Sequence, residues 1–275
     1  MTLQGRKVAV LGMGTLGRAL AEGLLERGGV ERADLRGTVR RSAHATELAD
    51  ALGIEVGTSN ATAARGAEIV MVCTKPKGIA AVLEELAEGD TLASNPLVVS
   101  VAAGVTVAQM EVLLPEGTRV VRAMPNTPCL IGEGMTVVSG GSAATEEDTE
   151  LALELFLPLG RALCLDESHM DAVTGLSGSG PAFAYVVLEA LSEGGVMMGL
   201  PRRVAAELAA QTLRGAASLV LETGQHPASL KDDVLTPAGC TIAGLLVMED
   251  GGIRATLARG VQEAARAASG LGQPR

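Results

Sequence analysis

The chain has 275 residues, 22 Lys and Arg against 32 Asp and Glu, and a formal net charge of −10. An acidic protein with only three aromatic residues, Phe156, Phe183 and Tyr185, lacks both the basic surface and the stacking platform that non-specific nucleic-acid binding requires. A hydrophobic content of 47% excludes wholesale disorder, and the length predicts two domains.

Taken in order, the first half alternates short apolar runs with helical stretches. Val8–Leu11 reads as a buried strand and Leu16–Arg27 as a helix. Strand 34–39, helix Ser42–Leu52, strand 68–73, helix Ile79–Leu86 and strand 97–101 follow. Runs 119–122 and 135–138 predict two more strands, and Glu146–Leu157 a helix. Strands separated by such helices predict a parallel sheet covered on both faces, a doubly wound α/β domain over residues 1–165. Beyond Leu165 the strand-like runs stop. Residues 181–198, 202–222, 241–249 and 254–269 read as helices with Gly and Pro between them, an all-α domain over residues 166–275. Cys73, Cys129, Cys164 and Cys240 form no Cys-x-x-Cys, and His44, His169 and His226 stand apart from them, so no metal site is expected. No apolar stretch approaches the ~18 residues of a membrane span. The expectation is a soluble, cytoplasmic protein of a reducing compartment.

Gly12-Met13-Gly14-Thr15-Leu16-Gly17 fits G-x-G-x-x-G between the first strand and the first helix. Glycines at these positions permit a tight turn and a close backbone approach to a pyrophosphate seated on the helix N-terminus. The second strand then selects the dinucleotide. A carboxylate at its end would hold a ribose 2′-hydroxyl, but the run Thr38-Val39-Arg40-Arg41-Ser42 has none. Two guanidiniums and a hydroxyl suit the extra phosphate of NADP. Residues 1–41 carry eight basic and four acidic side chains, a net +4 within an acidic protein. NADPH is therefore expected, with NADH as the weaker cofactor.

Three further loops follow predicted strands at the carboxyl edge of the sheet, where ligands bind in this architecture. They are Cys73-Thr74-Lys75-Pro76, Val101-Ala102-Ala103-Gly104 and Met124-Pro125-Asn126-Thr127-Pro128. Read singly, each is equally a structural turn. In the second half, Thr236-Pro237-Ala238-Gly239-Cys240-Thr241 leads into the apolar run Ile242–Met248, so its small residues sit at a helix N-terminus, where the dipole favours an anion.

Together these segments resemble the pyrroline-5-carboxylate reductases over essentially the whole length. The resemblance rests on residues 121–128, on Val173-Thr174-Gly175-Leu176-Ser177-Gly178-Ser179-Gly180-Pro181-Ala182, on Gly199-Leu200-Pro201-Arg202-Arg203, on His226-Pro227 with Leu230-Lys231-Asp232, and on residues 236–241. It implies hydride transfer from a nicotinamide to the imine carbon of a five-membered ring bearing a carboxylate, giving proline. It also implies a helical homodimer, or a higher homo-oligomer. By resemblance, the cofactor residues are Leu11, Gly12, Met13, Gly14, Thr15, Leu16, Gly17, Arg40, Arg41, Asn60, Cys73, Thr74, Lys75, Pro76, Ala102, Ala103, Met124, Asn126 and Glu167. The substrate residues are Thr236, Gly239, Cys240 and Thr241, with Thr241 as the catalytic hydroxyl. The 177–181 segment implies either a small-residue floor below the nicotinamide or tight packing. The family usually has Ser-Pro-Gly-Gly-Thr/Ala-Thr where this chain has Thr236, Ala238 and Cys240, and Asn or Gln where it has Asp233. Ala238 makes a left-handed backbone less comfortable there.

Two other readings compete. The β-hydroxyacid dehydrogenases share the two-domain plan but place a catalytic Lys about four residues beyond Gly180, where this chain has Ala184. A non-catalytic NADP sensor would need no carboxylate pocket, so the 124–128 and 236–241 loops would be superfluous to it.

Overall fold

The computed structural model describes residues 2–270. One compact unit runs through Ser179 and takes back the chain from Glu263; the other spans Gly180–Gln262.

The first unit is built on β1 (Val8–Leu11), α1 (Thr15–Glu26), β2 (Leu35–Thr38), α2 (Ser42–Leu52), β3 (Glu55–Gly57), α3 (Asn60–Ala64), β4 (Ile69–Val72) and α4 (Pro76–Ala87). It continues with β5 (Leu97–Ser100), α5 (Val107–Glu111), β6 (Arg119–Met124), β7 (Gly134–Gly140), α6 (Glu146–Phe156), β8 (Gly160–Cys164) and α7 (Met170–Val173). The eight strands form one sheet in the order β3-β2-β1-β4-β5-β6-β7-β8. The first six are parallel.

Alternation along each strand divides the core into two layers, because successive side chains point to opposite faces. Val8, Val10, Ile69, Met71, Leu97 and Val99 pack with α1, α2 and α6 through Leu20, Leu24, Leu48, Leu151 and Phe156. Ala9, Leu11, Val70, Val72 and Val98 pack on the other face with α3, α4 and α5 through Ala64, Leu83, Leu86 and Met110. Burial on both faces explains why the strands read as continuous apolar runs. The helices carry matching stripes. Ile79, Val82, Leu83 and Leu86 recur at helical spacing on α4, which starts on Pro76, and Gly53 in a left-handed conformation ends α2.

The sheet departs from the all-parallel expectation at β7, which runs antiparallel to β6, with β8 parallel to β7. A parallel return needs a crossover of a dozen or more residues, and only residues 125–133 separate β6 from β7. Strands β3 and β8 and the short helices α3 and α5 add to the elements expected. β3 and β8 lie at the sheet edges, and β3 has neither of its end residues buried, so they carry little hydrophobic signal. The compact units part between Ser179 and Gly180, where the sequence placed the boundary at 165/166. Residues 166–179 pack with the first unit, Met170 and Val173 clustering with Val137 and Met124.

The second unit contains α8 (Gly180–Met197), α9 (Arg202–Thr223), α10 (Pro227–Asp233) and α11 (Cys240–Asp250), and α12 (Ile253–Ala268) begins in it. α8 and α9 form a hairpin. A Cβ on Gly195 would lie 3.1 Å from that of Ala205, so small residues set the closeness of this pair. His226 caps α10, its Nδ1 accepting from the Ala228 N–H at 3.1 Å. Large apolar side chains stay uncovered on this unit, among them Met197, Met198, Leu246 and Val247. No helix of the described residues is long and apolar enough to cross a membrane.

Candidate active site

The carboxyl ends of β1, β2, β3, β4, β5 and β6 share one edge of the sheet, as their parallel registers require. Strand order reverses between β1 and β4, so the crevice at this switch point is bordered by the Gly12 turn and the Cys73–Pro76 loop. The two are in close contact. A Cβ on Gly12, whose φ is +91°, would stand 2.9 Å from Thr74 Cγ2 and 3.3 Å from the Cys73 carbonyl carbon.

The three glycines of the motif have three different surroundings. Gly12 makes the turn. A Cβ on Gly17 would lie 2.5 Å from the Gly12 carbonyl oxygen, so its absence lets α1 pack on β1. A Cβ on Gly14 would meet nothing within 4 Å. Gly14 is the N-cap of α1 and offers no side-chain cap, and no acidic residue lies in the first turn. The N–H groups of Thr15, Leu16 and Gly17 thus open the helix without an acceptor among the described residues. An open, uncapped N-terminus fits a phosphate. Thr74 Oγ1, buried beside this turn with no partner among the described residues, is a further donor in want of an acceptor.

The expectation that all of Leu11–Gly17 touch the cofactor narrows. Leu11 and Met13 are buried in the two core layers. The Met13 sulfur fills the place where a Cβ on Gly37 would be, 1.9 Å away, and its N–H donates to the Thr38 carbonyl at 2.7 Å. The Gly14 N–H donates to the Gly12 carbonyl at 2.8 Å. Free polar groups begin at Thr15.

Arg40 and Arg41 follow β2 at the same edge, both exposed, with no side-chain hydrogen bond or ion pair among the described residues. Asp34, the nearest preceding carboxylate, lies before β2 at its opposite end. Asn60 opens α3, half-buried, its Oδ1 accepting from the Thr38 hydroxyl and its Nδ2 donating to Glu85, both at 2.7 Å. Lys75 is the exposed N-cap of α4. Burial pushes the Cys73 thiol up to about 12, so it is a neutral packing group at physiological pH. The Ala102 N–H donates to Ser100 Oγ at 3.3 Å, and Ala102 is buried with Ala103 half-exposed beside it.

Asn126 and Glu167 are occupied within the first unit. Asn126 Oδ1 accepts from the Met135 N–H at 2.8 Å, and its Nδ2 donates to the Ser177 carbonyl at 3.1 Å. Ser177 belongs to a π-helical turn, Thr174–Gly178, that joins α7 to the approach of α8. Met124 lies beneath this turn, 2.5 Å from where a Cβ on Gly178 would be, which favours the packing reading of this small-residue stretch. Glu167 Oε1 accepts from the Val107 N–H at 2.7 Å and from Nη1 of buried Arg122 at 3.1 Å. Its carboxylate anchors the start of α5, whose preceding loop holds Ala102 and Ala103. Thr38 and Glu85 are bonded here without having been named as site residues from the sequence, whereas Arg122 lay within the 121–128 segment of the resemblance. Of the first two, Thr38, at the end of a strand beside the glycine turn, carried a signal, and Glu85 did not.

In the second unit, Thr236–Gly239 is a type II turn closed by the Gly239 N–H donating to the Thr236 carbonyl at 2.9 Å. Pro237 sits at its second position and Ala238 at its third, with φ +59°. The left-handed geometry that the family serves with glycine is therefore kept here by alanine. A Cβ on Gly239 would lie 2.4 Å from Thr236 Oγ1. Cys240 and Thr241 are the first two residues of α11, which begins on Gly239 with no side-chain cap and no acidic residue in its first turn. Asp233 is exposed at the end of α10. Among the described residues no group of three or more His, Cys, Asp or Glu could hold a metal ion.

Residues 167–271 match the family described as pyrroline-5-carboxylate reductase dimerisation. Residues 7–104 match the family described as NADP oxidoreductase, coenzyme F420-dependent. The chain is 42% identical over 271 residues to a pyrroline-5-carboxylate reductase of Methanosarcina acetivorans, covering 98% of this chain and 100% of that one. Among solved structures, a pyrroline-5-carboxylate reductase from Coxiella burnetii superposes with a TM-score of 0.91 at 30% identity, covering 98% and 99% of the two chains. A pyrroline carboxylate reductase of Plasmodium falciparum with NADP bound does so with a TM-score of 0.86 at 28% identity, over 98% and 99%.

Proposed function

Since the chain belongs to the pyrroline-5-carboxylate reductase family and is an NAD(P)H-dependent oxidoreductase acting on an imine, we propose that it reduces 1-pyrroline-5-carboxylate to L-proline with NADPH as the preferred donor. The observation that carries this reading is the open, uncapped N-terminus of α1 behind Gly12–Gly14, followed at the end of β2 by two unpaired arginines and no carboxylate. The cofactor supplies the hydride. The chain's own residues bind and orient.

The N–H groups of Thr15, Leu16 and Gly17 hold the pyrophosphate, Thr74 adds a hydroxyl, and Arg40 and Arg41 hold the 2′-phosphate. Ala102 and Ala103 offer a small-residue wall that lets a flat ring approach. In the second unit, the N–H groups of Cys240 and Thr241 hold the substrate carboxylate, helped by the dipole of α11. Thr236 and Gly239 shape the turn, and the Thr241 hydroxyl bonds the carboxylate or the ring nitrogen. The imine nitrogen is readily protonated in water, so the ring arrives as an electrophile. That accounts for a site without a His, Lys or carboxylate placed as general acid.

We assign residues 1–165 to the cofactor and residues 166–275 to substrate binding and dimerisation. The uncovered Met197, Met198, Leu246 and Val247 support burial against a second copy of this chain, since exposed apolar surface of this kind marks an interface. Four free cysteines suit a reducing, cytoplasmic setting.

The test is oxidation of NADPH with pyrroline-5-carboxylate, with a 3-oxoacid, and with neither. Turnover of the imine alone supports the assignment; turnover of the oxoacid would make the chain a hydroxyacid dehydrogenase. Arg40→Ala with Arg41→Ala is expected to abolish most of the preference for NADPH in kcat/KM, and an unchanged NADPH/NADH ratio would refute the phosphate assignment.

A further inference from the structure

A chain of hydrogen bonds runs from α4 to the phosphate turn. Glu85, half-buried on α4, accepts through Oε2 from Asn60 Nδ2 at 2.7 Å and through Oε1 from the Ala61 N–H at 3.0 Å. Asn60 Oδ1 accepts from the Thr38 hydroxyl at 2.7 Å, and Thr38 Oγ1 accepts from the Gly12 N–H at 3.0 Å. Thr38 is only 2% exposed.

The polarity of this chain is set at one end. A carboxylate only accepts, so Glu85 forces the Asn60 amide to present its nitrogen to α4 and its oxygen to β2. With Oδ1 facing it, the Thr38 hydroxyl must donate to Asn60, and its lone pairs are left for the Gly12 N–H. The Thr38 carbonyl reinforces the arrangement, accepting from the Gly12 N–H at 3.2 Å and the Met13 N–H at 2.7 Å. Four groups from three elements thus hold one backbone amide in a single orientation.

We infer that Glu85 is a positioning residue for the cofactor, acting through Asn60 and Thr38 to fix the turn whose far side presents the Thr15 to Gly17 N–H groups. The inference rests on the NADPH reading above. It gives Asn60 a second duty: its oxygen and one amide hydrogen are spent on the protein, so it holds the turn from behind. Glu85 itself lies beyond Asn60 and touches neither the turn nor its open side.

Glu85→Gln is nearly isosteric but lets the chain of donors run backwards. The glutamine nitrogen can donate to Asn60 Oδ1, Asn60 Nδ2 then faces Thr38, and the Thr38 hydroxyl loses its acceptor. Thr38→Val removes the hydroxyl at constant shape, whereas Thr38→Ser preserves it. The experiment is calorimetric titration of the full-length protein with NADPH, together with amide exchange at Gly12 in the cofactor-free protein. Glu85→Gln and Thr38→Val are expected to raise the Kd for NADPH about tenfold and to speed Gly12 exchange by a similar factor. Thr38→Ser should stay within about twofold of wild type. Wild-type Kd and exchange in Glu85→Gln and Thr38→Val, or a Thr38→Ser as impaired as Thr38→Val, would overturn the inference. A wild-type protein that fails to bind NADPH would instead defeat the cofactor reading on which it stands.

Discussion

Gly14 and Gly17 are three residues apart, yet a methyl group added at each should fail in a different way. At Gly17 the new Cβ would stand 2.5 Å from the Gly12 carbonyl oxygen and 3.2 Å from Cys73 Cβ. The first of these is backbone and cannot swing aside, so α1 must shift from β1. Overpacking of this kind costs about 1–3 kcal/mol, which in a chain of this size lowers Tm by about 2–4 °C per kcal/mol. At Gly14 the Cβ would meet nothing within 4 Å, and φ −77° with ψ −160° suits alanine. The only structural cost is a poorer N-cap, about 0.5–1 kcal/mol. The methyl would, however, stand where a pyrophosphate must approach. Gly14→Ala should therefore keep Tm within about 4 °C of wild type while weakening NADPH binding tenfold or more, a loss of at least about 1.4 kcal/mol. Thermal melts without cofactor and calorimetry with it separate the two effects. A Gly14→Ala protein that binds NADPH as wild type does would refute the reasoning, as would a Gly17→Ala protein that melts with wild type.

What could be read in the sequence was what is local along the chain. The glycine turn lies within six residues between a strand and a helix, and each glycine's role follows from that placement. The strained third position of the 236–239 turn was legible only through the resemblance, which sets a glycine where Ala238 stands, since Pro237 at the second position suits type I and type II turns alike. The link from Glu85 to Gly12 is not local. It joins residues 12, 38, 60 and 85, brought together only because β2 and β4 both pair with β1 while α3 and α4 cover one face. Asn126 and Glu167 show the converse. Their motifs mark them as important, but a motif does not say which way a side chain turns, and both turn to backbone N–H groups of the first unit. The antiparallel β7 was hidden because its run of Val and Thr is the same in either direction, and loop length alone decides it.

Thr241→Ala should lower kcat/KM at least about tenfold with little change in Tm, since the hydroxyl caps nothing in α11, and Thr241→Ser should retain most activity; steady-state kinetics and melts of both variants decide it. Ala238→Gly should raise Tm by about 1–3 °C, because relief of left-handed strain, about 1–2 kcal/mol, outweighs the added chain entropy of glycine, about 0.5–1 kcal/mol. Cys73 supplies a prediction in pH. Its folded pKa is raised by burial from 9.0 to about 12. A raised pKa means that the unfolded chain releases the thiol proton first, so the stability held by the neutral thiol is fully present below pH 9 and is lost as pH climbs from 9 towards 12. The slope is about 1.4 kcal/mol per pH unit, or about 2 kcal/mol by pH 10.5. Tyr185 and every lysine are common to the chain with and without the thiol, so their titration cancels when the two are compared. Cys73→Ala should therefore lose less stability than wild type between pH 8 and pH 10.5 in urea titrations, and parallel losses in the two proteins would mean that the thiol does not titrate against its burial.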